Sequence, residues 1–212
     1  MVVDDSTIHR RYGTIGVVGR FKPLHHGGAA MLDGACERAE HVVIAIGSAN
    51  RYDLRNPFTP DETRGMLDAY LSPRYRNYTI RTIDDYGHIP EFHDGQRWRE
   101  EAKRAYHDCD AIVTGNPYVA RLLADDFPIM QSSEFVEQNR RVFLSSTMVR
   151  QSMARGGNDW KRFVPDEVAD YIETRGLARR FRQEFGLVTL ASIPSYDGPE
   201  GYDEEVKHVQ AR

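Results

Sequence analysis

Ten residues near the start of the chain, Gly19 to Gly28 (GRFKPLHHGG), bring a glycine, two cations, a proline and paired histidines into one turn-sized segment. The β-branched run Thr14 to Val18 leads into it, and a helical pattern leads out from about Gly28. A strand that stops in glycine and turns into a helix leaves backbone amides free at the carboxyl edge of a sheet, where anions bind. Here Gly19 permits close backbone approach, Phe21 belongs to the same turn, and Pro23 stiffens it. Arg20 and Lys22 supply positive charge, and His25 at the helix entrance can donate a hydrogen bond to a phosphate oxygen. The segment holds neither GxxxxGK[ST] nor GxGxxG, so P-loop and dinucleotide-fingerprint mechanisms are not supported.

A second group with the same chemistry lies far along the chain, at Ser145 to Arg150 (SSTMVR). The hydroxyls of Ser145, Ser146 and Thr147 can cap a helix or, with its free amides, bind phosphate, and Arg150 stands one turn further in. An ordinary cap with a surface arginine explains this stretch alone. Two anion-suited helix starts in one chain say more together than either does separately.

Positioning both groups requires a layered scaffold, and the pattern supplies one. Apolar runs alternate with helical stretches, which specifies α/β architecture: a Rossmann-like parallel sheet flanked by helices. Strands are expected near residues 14–18, 41–46, 78–83, 110–115 and 128–131, with a further short one at Arg141 to Leu144. Helices are expected from about Gly28, over Pro60 to Leu71, Arg97 to Tyr106, Val119 to Ala124, after Thr147 to Arg155, and from Pro165 to Thr174. The clearest start is at Thr59, an N-cap followed by Pro60 and by Glu62 in a capping box. Residues 1–186 read as one domain with a helical C-terminal segment, and 187–212 as a flexible polar tail.

Composition narrows the functional class. The net charge of −4 argues against a nucleic-acid coat but leaves room for a local basic pocket among 28 lysines and arginines. No window approaches the ~18 continuous apolar residues of a membrane span, and residues 1–12 carry mixed charge, so a cytoplasmic protein is expected. Cys36 and Cys109, in helix-rich stretches, read as reduced and mostly buried thiols; no Cys/His cluster has zinc spacing.

With both groups placed, GRFKPLHHGG resembles the H-x-G-H nucleotide-binding motif of the nucleotidylyltransferase superfamily, and SSTMVR its ISSTxxR motif. More narrowly, AIGSAN (45–50), RNPFTPDE (55–62), VTGNPYVARLL (113–123) and RFVPDEVADYI (162–172) are similar to archaeal-type nicotinamide mononucleotide adenylyltransferases. The resemblance spans roughly Gly13 to Arg180. It implies transfer of AMP from ATP to nicotinamide mononucleotide, giving NAD and pyrophosphate, with Mg2+ accompanying the triphosphate and no covalent enzyme intermediate. Arg20, His25 and Arg150 are then the catalytic contacts to ATP phosphates, and Gly19, Phe21, Lys22, Ser145, Ser146 and Thr147 join in binding the nucleotide. Gly47 and Ser48 would line the mononucleotide side, Trp98 would stack on the nicotinamide ring or pack a helix on the sheet, and Asn116 would face the adenosine or cap a helix. Relatives often assemble, so a homo-oligomer is a possible partner state.

One position departs from the family pattern. Gly28 stands where the second motif histidine is expected, and His26 occupies the variable position. Glycine offers only its backbone amide, and losing a transition-state donor costs ~10²–10³ in rate. Three readings remain: an active adenylyltransferase, a nucleotide-binding sensor or subunit without efficient turnover, and a transferase for another phosphorylated acceptor.

Overall fold

The alternating runs fold into a five-stranded sheet in which every neighbouring pair is parallel, in the order β3-β2-β1-β4-β5. The computed structural model describes residues 12–138 and 144–192. The strands are β1 (Tyr12–Gly19), β2 (Ala39–Gly47), β3 (Tyr78–Ile83), β4 (Ala111–Thr114) and β5 (Ile129–Gln131). Strand order reverses beside β1, which has β2 on one side and β4 on the other. In open parallel sheets the crevice beyond the carboxyl ends at such a reversal is where ligands bind.

Strand residues alternate between two cores. Ile15, Val17, Val42, Ile44, Ile46 and Val113 pack on one face with α1 (His26–Arg38), α2 (Pro60–Leu71), α5 (Ser146–Arg155), α6 (Asp166–Thr174) and α7 (Leu177–Phe181). Val43, Ala45, Ile83 and Ile112 face the other way, onto α3 (Gln96–Ala105) and, through Leu123, α4 (Pro117–Leu123). With both faces covered, the strands carry continuous apolar runs, which is why they were legible.

Helix starts follow local chemistry. Thr59 Oγ1 accepts from Glu62 N at 3.2 Å while Glu62 Oε2 accepts from Thr59 N at 2.9 Å, completing the expected box. Helix α1 begins two residues earlier than expected because the His25 side chain itself is the cap. Cys36 is buried in α1, whereas Cys109 sits outside any helix, in the turn ahead of β4, and both thiols are free.

The boundary expected after Gly186 is corrected. The chain runs from α7 through a π-helical turn, Arg182–Gly186, straight into α8 (Leu187–Ala191), where Thr189 is buried. The wider turn shifts the helical register, so Leu187 and Val188 face solvent and the polar Thr189 faces the body. That inversion hid the helix. Residues 193–212 of the expected tail, and 141–143 of the strand expected at Arg141 to Leu144, lie outside the described residues.

Candidate functional site

Above the carboxyl ends of β1, β2 and β4 lies a cavity of about 390 Å³, lined by Gly19, Arg20, Gly47, Ser48, Trp98 and Asn116 among others. The fold thus gathers six sequence-nominated residues from four separate segments. Trp98 has one of its expected roles, packing on the α3 side of the sheet, and its half-buried side chain also lines the cavity. Asn116 caps α4, its Oδ1 accepting from Tyr118 N at 2.9 Å, and is exposed in the cavity lining.

Two strand ends meet here in strained backbone. Phe21 and Ser48 both adopt φ of 51°, a left-handed conformation that costs a non-glycine residue about 1–3 kcal/mol and concentrates at functional turns. At Ser48 that conformation accompanies two bonds: its carbonyl accepts from Lys22 Nζ at 2.8 Å, and its hydroxyl donates to Asp85 Oδ2 at 2.9 Å. At Phe21 the ring folds back beneath Gly19, where a Cβ would lie 2.7 Å from Phe21 Cζ. The close approach that Gly19 permits is therefore to this ring.

The two distant motifs form one unit. Arg150 Nη1 donates to Lys22 O at 2.9 Å, and Ser146 Oγ donates to Pro23 O at 3.0 Å. Arg150 also holds Thr147 Oγ1 at 3.1 Å, and Ser145 Oγ accepts from Met148 N at 3.3 Å to cap α5. Lys22 and Arg150 are buried, and Arg20 stands close to both at the surface. Burial first, and then the Arg20 charge, lower the Lys22 ammonium to about 8 and the Arg150 guanidinium to about 10. Like charges crowded together in a shielded place favour an anionic occupant beside them.

His25 completes the turn. Its Nδ1 accepts from Gly28 N at 3.3 Å, which leaves the proton of the neutral ring on Nε2. Burial, and then His26, depress its pKa to about 4. The ring is therefore neutral at pH 7 and offers Nε2–H as a donor. A Cβ at Gly28 would lie 4.0 Å from both Nε2 and Cε1 of His25, so this position adjoins the donating edge of the ring.

A second cavity of about 330 Å³ shares Arg20, Ser48, Asp85 and Gly87 with the first and extends to Arg51, Asp53, Arg55 and Asn56. Asp53 Oδ1 folds this loop by accepting from Arg55 N and Asn56 N, each at 2.9 Å. Asn56 Oδ1 is buried without a hydrogen-bond partner among the described residues. The C-terminal helix holds the loop from outside: Tyr52 Oη donates to Glu184, and Arg180 Nη2 donates to Pro57 O at 3.1 Å and to Glu62 Oε2 at 2.7 Å.

Several expectations change. Phe21 and Lys22 are enclosed: Phe21 belongs to the core, and Lys22 is bonded to Ser48 O. The Ser146 hydroxyl donates to Pro23 O, and the Met148 amide is taken by the Ser145 cap. His25, Arg150 and Ser145 to Thr147 lie outside the linings of both cavities, gathered instead around the Lys22–Pro23 turn. Sequence reasoning missed Asp85, Phe92 and Tyr118, all lining the first cavity. Asp85 falls in a polar loop, and only its pairing with Ser48, 37 residues away, marks it out.

Comparison with known proteins gives a concordant result. The cytidylyltransferase-like family matches residues 17–152. The chain is 30% identical to a nicotinamide-nucleotide adenylyltransferase of Methanocorpusculum labreanum over 165 residues, covering 76% of this chain and 92% of that protein. It is 32% identical to the protein of that name from Thermococcus onnurineus over 170 residues, covering 76% of this chain and 83% of the relative. Among solved structures, a bifunctional NMN adenylyltransferase/ADP ribose pyrophosphatase from Francisella tularensis, complexed with AMP and a Mn ion, superposes with a TM-score of 0.65 at 20% identity. That superposition covers 84% of this chain but 54% of the other, so the chain spans about half of that structure and shares its fold.

Proposed function

Since the chain belongs to the cytidylyltransferase-like family and, within it, to the nicotinamide-nucleotide adenylyltransferases, we propose that it transfers AMP from ATP to nicotinamide mononucleotide, giving NAD and pyrophosphate. The observation that carries this reading is the joining of the two anion-suited motifs through Arg150 and Lys22, next to a cavity at the sheet's reversal point. The mononucleotide phosphate oxygen attacks the α-phosphorus of ATP in line. One P–O bond forms as the bond to the β-phosphate oxygen breaks, and pyrophosphate leaves with the electron pair. Arg20, Arg150 and the His25 Nε2–H stabilise charge on the phosphates, while the cavity walls align the reactants. Gly47, Ser48 and Trp98 face the mononucleotide, and Asn116 the adenosine.

The family resemblance implies Mg2+ with the nucleotide. Among the described residues no group of three His, Cys, Asp or Glu side chains is placed to hold a metal ion. In nucleotide enzymes Mg2+ is usually carried by phosphate oxygens of the substrate and water with one or two carboxylates. Bound there, it would neutralise phosphate charge. A cytoplasmic setting agrees with the two free thiols and with the absence, among the described residues, of any helix long and apolar enough to cross a membrane.

Gly28 favours a second reading, a nucleotide-binding subunit without efficient turnover, because position 28, next to the donating edge of His25, carries no imidazole. Pyrophosphate release from ATP across a panel of phosphorylated acceptors separates the two. The first reading expects release that depends on nicotinamide mononucleotide; binding without release for any acceptor supports the second.

A further inference from the structure

Away from the catalytic cavities, a concavity of about 400 Å³ lies between α6, α7 and the 3-10 segment Asp159–Phe163. Its lining includes the buried side chains of Trp160 and Ile172. Arg175, at the end of α6, also lines it, with Arg179 and Arg182 three residues apart on the helical run after the Gly176 turn. Arg179 Nη2 lies 3.4 Å from where a Cβ on Gly176 would be, and Gly176 makes the left-handed turn (φ 65°) between the two helices. A carboxylate in the lining, that of Glu173, is paired with Lys161 at 2.6 Å. Among the described residues neither Arg179 nor Arg182 makes an ion pair or a side-chain hydrogen bond. Arg180, between them in sequence, is by contrast bonded to Glu62 and Pro57.

Three guanidiniums share one concavity, and the neighbouring carboxylate is already neutralised by a lysine. Arg175 stacks over the Tyr171 ring at 4.5 Å from its centroid, whereas among the described residues Arg179 and Arg182 have no such fold contact. The arrangement matches what a phosphate-bearing ligand needs: planar donor forks that pair with anionic oxygens, within a volume of ligand size.

We propose that this concavity is a second ligand site for a small phosphate-bearing polyanion, with Arg175, Arg179 and Arg182 as its anion contacts. It is separate from the catalytic cavities, so its occupancy does not depend on the reaction assigned to them.

The chain contains two tryptophans, Trp98 at the catalytic cavity and Trp160 here, so Trp98→Phe leaves Trp160 as the sole reporter. Titrating this full-length variant with inorganic pyrophosphate, and in separate arms with inorganic phosphate and ATP, is expected to change Trp160 emission saturably below about 5 mM in at least one arm. Adding Arg179→Gln and Arg182→Gln, with the far-UV circular dichroism unchanged, should weaken that response at least roughly tenfold. A response that fails to saturate in every arm, or that survives both glutamines, overturns the site. Calorimetry on the chain with Trp98 intact is an independent check that does not rely on that variant folding. Pyrophosphate stoichiometry should fall by one on introducing the two glutamines, and an unchanged stoichiometry also overturns the site.

Discussion

Arg150 donates from Nη1 to the carbonyl oxygen of Lys22 at 2.9 Å, joining positions 128 residues apart in the chain. The bond ties a strand-to-helix turn to a distant helix start, the two segments proposed to hold the nucleotide phosphates. It also explains why Arg150 is buried: the same guanidinium holds Thr147 and leans on a turn whose lysine is itself enclosed.

Arg150→Lys keeps the charge but loses the fork that reaches two acceptors. Its kcat/KM for ATP should fall roughly 10²–10³-fold. Stability should fall by about 1–3 kcal/mol as the Lys22 carbonyl loses its donor. Steady-state kinetics and urea melts check both, and an unchanged kcat/KM contradicts the assigned role.

His25 makes stability depend on pH with a defined sign. Its pKa is depressed to about 4 in the folded chain against an ordinary value of 6.5, so between those values the unfolded state binds more protons. Stability from the neutral ring is fully present above 6.5, is lost as pH falls toward 4, and levels off below. In His25→Gln the slope over this window should be shallower than in the wild type. Equal slopes in paired denaturation curves would rule out the buried neutral ring.

Gly28→His restores an imidazole beside the donating edge of His25. The new Cβ would meet Leu24 Cδ1 at 3.2 Å, a contact that a small movement of a flexible side-chain end relieves. Turnover should rise by up to ~10²–10³-fold, the usual effect of one transition-state donor. A folded variant with unchanged kcat would mean that the chain already supplies that donor from elsewhere.

Tyr52→Phe removes the hydroxyl that donates to Glu184 and keeps the ring packed 5.4 Å from Phe185. The loop that carries Ser48, Arg51 and Arg55 then loses one of its outer ties. The KM for the mononucleotide should rise about 2–10-fold, the effect of one net hydrogen bond, while the KM for ATP changes less. Equal changes in both would indicate general loosening.

Much of this arrangement was readable in the residues, because the signals were local. Buried parallel strands announce themselves as apolar runs, and the Thr59–Pro60–Glu62 start carries its own hydrogen-bond partners within four residues. Gly19 and Arg20 were nominated by the turn's chemistry, and Gly47, Ser48, Trp98 and Asn116 by the family resemblance; strand ends and α3 bring them to one cavity. What escaped depends on distant contacts. Lys22 looks like a solvent-facing cation until its bond to Ser48 O is seen. Asp85 has no local signature, and the helix after Gly186 is concealed by a π-turn that points Leu187 outward.

The central claim is tested most directly by identifying the product. Purified chain, ATP, Mg2+ and nicotinamide mononucleotide are incubated together, and NAD and pyrophosphate are quantified by mass spectrometry and a coupled assay. The account predicts NAD and pyrophosphate in equal amounts, with neither formed when the mononucleotide is omitted. Saturable ATP binding with no NAD formed, or faster transfer to a different phosphorylated acceptor, would contradict it.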